Sequence, residues 1–121
     1  MSALEFQPEI NLIRYKIRNG SEPDNPTLFS LWFNYEEKLL SGDNCLKFQR
    51  SIYESQFNLL LDAVIDELVP KHWRCQCLDQ IYRPLTALKR ISNNKESESK
   101  IKRLLYELSV TSHYVEHSLM I

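Results

Sequence analysis

The amino-acid sequence predicts an all-α fold: an antiparallel helical bundle of about five helices, in a single domain covering residues 1–121. Three observations carry that expectation. Apolar residues recur at steps of three and four along most of the chain, the period of amphipathic helices. Only two glycines occur, and neither lies inside a periodic segment, whereas a sheet-rich fold needs glycine-bearing turns at short intervals. The intervening stretches are short and polar, as in bundles of neighbouring antiparallel helices. A hydrophobic content of 43% and a charged content of 26% are those of a folded chain rather than a disordered one.

The first helix is expected from about Gln7 to Arg18, with Phe6, Ile10, Ile13 and Ile17 on one face and Asn19-Gly20 as its stop. SEPDNP then reads as a surface loop. Asn25 caps and Pro26 opens a second helix through Leu28, Phe29, Trp32, Phe33 and Leu39, which ends at Ser41-Gly42-Asp43-Asn44. A third helix runs from about Cys45 to Leu68, with Phe57, Leu60, Leu61, Val64 and Leu68 as its buried stripe. Pro70 ends it and opens a fourth helix, carrying Leu78, Ile81, Leu85 and Leu88 and kinked by Pro84. Residues 92–99, SNNKESES, read as a mobile connection. The final helix holds Ile101, Leu104, Leu105, Leu108, Val115 and Leu119.

Composition excludes several function classes. A net charge of −1 does not suit a general nucleic-acid binder, and the mixed signs around Lys95, Lys100, Lys102 and Arg103 read as a solvated surface. No apolar run approaches the ~20 residues that span a bilayer, and MSALEFQPEI does not read as a signal peptide. Three cysteines without a framework of spacings suit free thiols in a reducing cytoplasm. A cytoplasmic protein with no cofactor is expected.

Zinc is bound by clustered His and Cys side chains. His72, Cys75 and Cys77 are close in sequence, and His113 and His117 lie one turn apart. The spacings match no standard zinc pattern, and Cys75 and Cys77 on a helix point about 200° apart. No glycine-rich phosphate loop, Gly-x-Ser-x-Gly elbow or His-Glu-x-x-His is present, and Asp62 and Asp66 read as a solvated i, i+4 pair. The sequence therefore points away from an enzyme. Trp73 stands among Lys71, His72 and Arg74 at a helix start, where it can pack inward or serve as a contact anchor.

At this corner the chain resembles a known family. Val64-Ile65-Asp66-Glu67-Leu68, followed three residues on by His72-Trp73, is similar to a segment of the Rsd/AlgQ family, regulators of sigma D. There an aliphatic-Val-Asp-aromatic-Leu run is followed at the same distance by His-Phe. Glu54, twelve residues before Asp66, also falls on a family Glu. Leu31-Trp32 with Lys38-Leu39-Leu40, and Tyr114-Val115-Glu116, resemble further segments in the same order.

The resemblance implies an anti-sigma factor: a helical bundle that binds region 4 of the primary sigma factor and keeps it from core RNA polymerase and the promoter −35 element. It implies sigma contacts at Asp66 and Trp73, with Val69 where the family has Ser and Trp73 where it has Phe. The expected partner-binding set is Asp66, Val69, His72, Trp73 and Asp62, with Asp62, Asp66 and Glu67 offering negative charge to a basic partner. The alternative is a helical adaptor for a different protein partner.

Overall fold

The computed structural model describes residues 8–42 and 45–119. Phe6, the expected start at Gln7, and the Asp43-Asn44 part of the second turn lie outside the described residues. Six helices follow one another: α1 (Pro8–Asn19), α2 (Thr27–Ser41), α3 (Leu46–Ile65), α4 (Lys71–Gln80), α5 (Tyr82–Arg90) and α6 (Lys95–Leu119). Among the described residues there is no strand. One hydrophobic core takes side chains from all six helices, including Ile17, Trp32, Phe57, Trp73, Leu85 and Val115. The longest shared borders belong to α3, which packs on α1, α4, α5 and α6.

The chain departs from the expected helices in four places, each for a local reason. The Asn25 side chain does not cap α2. It donates to Glu22 Oε1 at 3.1 Å, and Glu22 is also held by Lys16 Nζ at 2.6 Å, so the loop closes on α1 instead. The expected third helix ends at Ile65 rather than Leu68. Asp66 turns extended, its Oδ1 accepts the Leu68 N–H at 2.9 Å, and its carbonyl accepts from Val69 at 3.1 Å. A short carboxylate that bonds its own following backbone competes with helix continuation.

The expected fourth helix is two helices, broken at buried Ile81. Pro84 has no N–H to give Gln80, and its ring crowds that carbonyl. The chain therefore restarts, and Pro84 falls in the first turn of α5, where no donor is needed. Finally, residues 95–99 of the expected mobile connection are helix. Asn94 Oδ1 accepts the Ser97 N–H at 2.8 Å, and the Asn94 N–H donates back to Ser97 Oγ at 3.2 Å. That is a reciprocal cap with Ser in the place usually held by Glu or Gln.

Candidate functional site

The corner between α3 and α4 is built on the end of α1. Ser21 N–H donates to Lys16 O at 3.2 Å and Gly20 N–H to Ile17 O at 3.4 Å, the two bonds of a Schellman termination. Gly20 supplies the left-handed residue that this ending needs, at φ 59°. The missing side chain matters equally, because a Cβ there would lie 2.8 Å from Val69 Cγ1, 3.0 Å from Trp73 Cδ1 and 3.1 Å from Pro70 Cδ. The corner rests on a glycine.

Trp73 is fully buried in that seat. Its ring stacks on Phe29 with centroids 4.6 Å apart, and its Nε1 donates to Ile17 O at 2.8 Å. The indole thus gives a second, shorter hydrogen bond to a carbonyl that also accepts from Gly20 at the end of α1, while filling the space between α1, α2 and α4. Val69 is buried as well. Of the two roles open to Trp73, inward packing is the one realised, and neither Trp73 nor Val69 presents a surface to a partner in this conformation. The sequence puts aromatic and β-branched residues here because the corner needs bulk against Gly20.

Asp66 is tied down locally. Its Oδ2 accepts from Arg18 Nη1 at 2.9 Å, and Arg18, followed by the Leu68 N–H, holds its carboxyl below the usual range. Behind it the buried Arg74 donates through Nε to Val64 O at 2.7 Å, placing a cation at the carboxyl end of α3. His72 is exposed, with Nε2 3.4 Å from Asp24 Oδ1. Asp62 and Glu67 are exposed.

The early end of α3 also relocates Leu68. The helical pattern places it on the buried stripe, but the non-helical Asp66 and Glu67 carry it out of helical register. Val69 takes the buried place, and Leu68 is 93% exposed. Ile65, at the last helical position, is half exposed. The accessible surface of the corner is therefore Asp62, Ile65, Glu67, Leu68 and His72: an apolar pair flanked by carboxylates.

Cys75 is exposed and Cys77 is buried on the opposite side of α4, and burial pushes the Cys77 thiol up to about 12. Among the described residues no group of three metal-ligating side chains converges, and no helix is long and apolar enough to cross a membrane. A groove of about 970 Å³ opens between α1, α3 and the start of α6, lined among others by Arg14, Arg18, Arg50, Asp62 and Lys100. Three of its cations meet carboxylates: Arg14 meets Glu36, Arg18 meets Asp66, and Lys100 Nζ lies 2.9 Å from Glu54, whereas Arg50 Nη2 donates to the neutral Asn93 Oδ1 at 2.6 Å.

Sequence reasoning missed a buried polar junction that holds α1, α2 and α3 together. Glu36 is 3% exposed. It accepts from Gln56 Nε2 at 3.0 Å and from Arg14 Nη1 at 3.2 Å, while Arg14 Nη2 donates to Ser55 Oγ at 2.6 Å and its guanidinium lies 5.4 Å from the Trp32 ring. Burial pushes the Glu36 carboxyl up, against the opposing pull of Gln56 and Arg14. The buried Trp32 Nε1 has no partner in hydrogen-bond geometry, yet it lies near enough to Glu36 to favour the ionised form. A signal was present: Glu36 stands four residues after Trp32 and four before Leu40, inside an apolar stripe.

No family model matches the chain, and no curated protein or solved structure matches it either. Fold and corner together define a small helical-bundle protein with an exposed apolar, carboxylate-flanked edge at the α3–α4 turn.

Proposed function

We propose that this chain is a non-enzymatic, cytoplasmic bacterial anti-sigma factor that binds region 4 of the primary sigma factor. Bound there, it keeps sigma from core RNA polymerase and from the promoter −35 element by occupying the surface that both require. The observation that carries the reading is the exposure of Leu68, 93%, beside Ile65, Asp62 and Glu67. It falls in the same segment where the resemblance to the Rsd/AlgQ family implies sigma contact.

The roles of the five expected residues divide. Asp62 and His72 stay in the contact set, joined by Ile65, Glu67 and Leu68. Val69 and Trp73 act as the frame that fixes the turn, and Asp66 holds the turn closed through its bonds to Arg18 and the Leu68 N–H. Region 4 is a basic helix-turn-helix reader of DNA, so carboxylates around an apolar contact offer complementarity and steer encounter. Leu68 and Ile65 supply the desolvated centre that such contacts need.

Size-exclusion chromatography of the purified chain with the primary sigma factor of its host tests this. A co-eluting complex is expected, lost when region 4 is deleted and weakened by Leu68→Asp. Separate peaks at micromolar concentrations of both proteins would remove the anti-sigma reading. The second reading, an adaptor for a different protein partner, gains from the burial of Trp73 and Val69, which takes two of the family's contact positions off the surface. It predicts a complex in which sigma is absent.

A further inference from the structure

The second half of α6 carries a face that the bundle does not use. Leu104, Leu108 and Val115 point into the core, and on the other side Tyr106, Val110 and Tyr114 are 71%, 52% and 68% exposed. Spaced four apart, these three form one continuous stripe over about two turns. Charges bracket it asymmetrically: Lys102 and Arg103 stand at its amino end and Glu116 at its carboxyl end. Among the described residues none of the three takes part in an ion pair within the chain.

We propose that this face docks a second copy of the chain, α6 against α6 and antiparallel, about a two-fold axis through Val110. A two-fold contact places residues equally distant from Val110 opposite one another. Tyr106 of one copy then meets Tyr114 of the other on both sides of a central Val110 pair. Glu116 falls within about one helical turn of the positions mirroring Lys102 and Arg103, so the basic end of each stripe meets the acidic end of the other. His117 comes into register with Arg103, and Glu107 with His113.

A parallel arrangement would set basic end on basic end and acidic end on acidic end, and would align two helix dipoles that the antiparallel one opposes. The charge pattern selects the antiparallel pair. This surface shares no residue with the α3–α4 corner, so its test is separate from that of sigma binding.

Sedimentation equilibrium of the full chain over a wide concentration range reads the outcome. A reversible dimer is expected. Val110→Glu sets two carboxylates against each other on the axis and should shift the dissociation constant upward by about a hundredfold, with unchanged helical circular dichroism. Because Val110 is half exposed, the variant is expected to fold. Lys102→Glu and Glu116→Lys should each weaken the dimer severalfold, and the double variant should recover most of that loss, since the swapped charges face each other again. A monomer at every concentration, a dimer indifferent to Val110→Glu, or a double variant no tighter than either single one would each overturn the proposal.

Discussion

Helix α1 projects Arg14 and Arg18 one turn apart, and each meets a carboxylate from elsewhere in the chain, but the two pairs behave in opposite ways. Glu36 lies inside the α1–α2–α3 junction, 3% exposed, and burial pushes its carboxyl up despite Arg14 and Gln56. Asp66 lies at the α3–α4 turn with its side chain about a quarter exposed, and Arg18 holds its carboxyl down. The same ion pair therefore has two uses in one small fold. Taken out of water, it specifies how three helices meet while contributing little net stability. Left at the surface, it fixes a turn, and the apolar edge beside that turn stays available.

The largest expected effects come from breaking what seats the α3–α4 corner. Trp73→Ala removes the ring that stacks on Phe29 and caps Ile17 O, and should cost about 3–5 kcal/mol in urea unfolding. Gly20→Ala should cost about 2 kcal/mol or more, from the left-handed backbone together with contacts of 2.8–3.1 Å to Val69, Trp73 and Pro70. A chain that kept its stability after either change would show that α1 does not support the corner.

Next in size is Arg14→Ala, which leaves Glu36 buried without its cation and should cost about 3 kcal/mol. Glu36→Gln, which removes the charge and keeps the shape, should cost far less. Equal losses in the two variants would mean that the junction depends on the charge pair rather than on satisfied hydrogen bonds.

Acid titration sharpens the contrast, because the two groups carry opposite signs. The raised Glu36 makes the folded chain bind that proton more tightly than the unfolded chain does. Its ionisation costs stability above the folded pKa, and the cost is relieved as pH falls through that value toward 4.5. The lowered Asp66 adds stability that is complete above 3.8 and is lost as pH falls through its depressed folded value. Melting curves from pH 7 to pH 3 should show Glu36→Gln at its best relative to the unaltered chain near neutrality. Asp66→Asn should be at its worst there, and both differences should shrink in acid. Two differences that changed with pH in the same direction would contradict the assignment of these two carboxyls.

Much of the fold was legible because periodicity and punctuation act locally. The apolar faces of α1, α2 and α6, the stop at Asn19-Gly20 and the interruption around Pro84 all follow from rules that operate within a turn or two of chain. Illegible features depend on what a side chain meets elsewhere. Trp73 among Lys71, His72 and Arg74 looks exposed by its neighbours, and only Gly20, more than fifty residues earlier, makes room for it. Glu36 counts as surface charge until Arg14 and Gln56 are brought to it from two other helices. Leu68 leaves the helical stripe for a nearer reason: Asp66 ends α3 by bonding its own backbone, and that choice between cap and helix interior turns on a single side chain.

The smallest effect on stability belongs to the residue on which function is proposed to depend most. Leu68 buries almost nothing at 93% exposure, so Leu68→Ala should leave the melting temperature where it is, within the ±0.5 kcal/mol scatter of surface substitutions. Binding to sigma region 4 should nonetheless weaken about tenfold, because an apolar side chain at the centre of a contact acts only when a partner covers it. Glu67→Lys, beside it, should act mainly on the association rate and its salt dependence. If Leu68→Ala binds as well as the unaltered chain while Trp73→Phe, a change that keeps the ring in its seat, loses binding, the corner must open to expose Trp73. The buried seat would then be the resting state of a contact residue. If Leu68→Ala loses binding and Trp73→Phe keeps it, the frame and the contact are separate sets of residues, as the two exposures indicate.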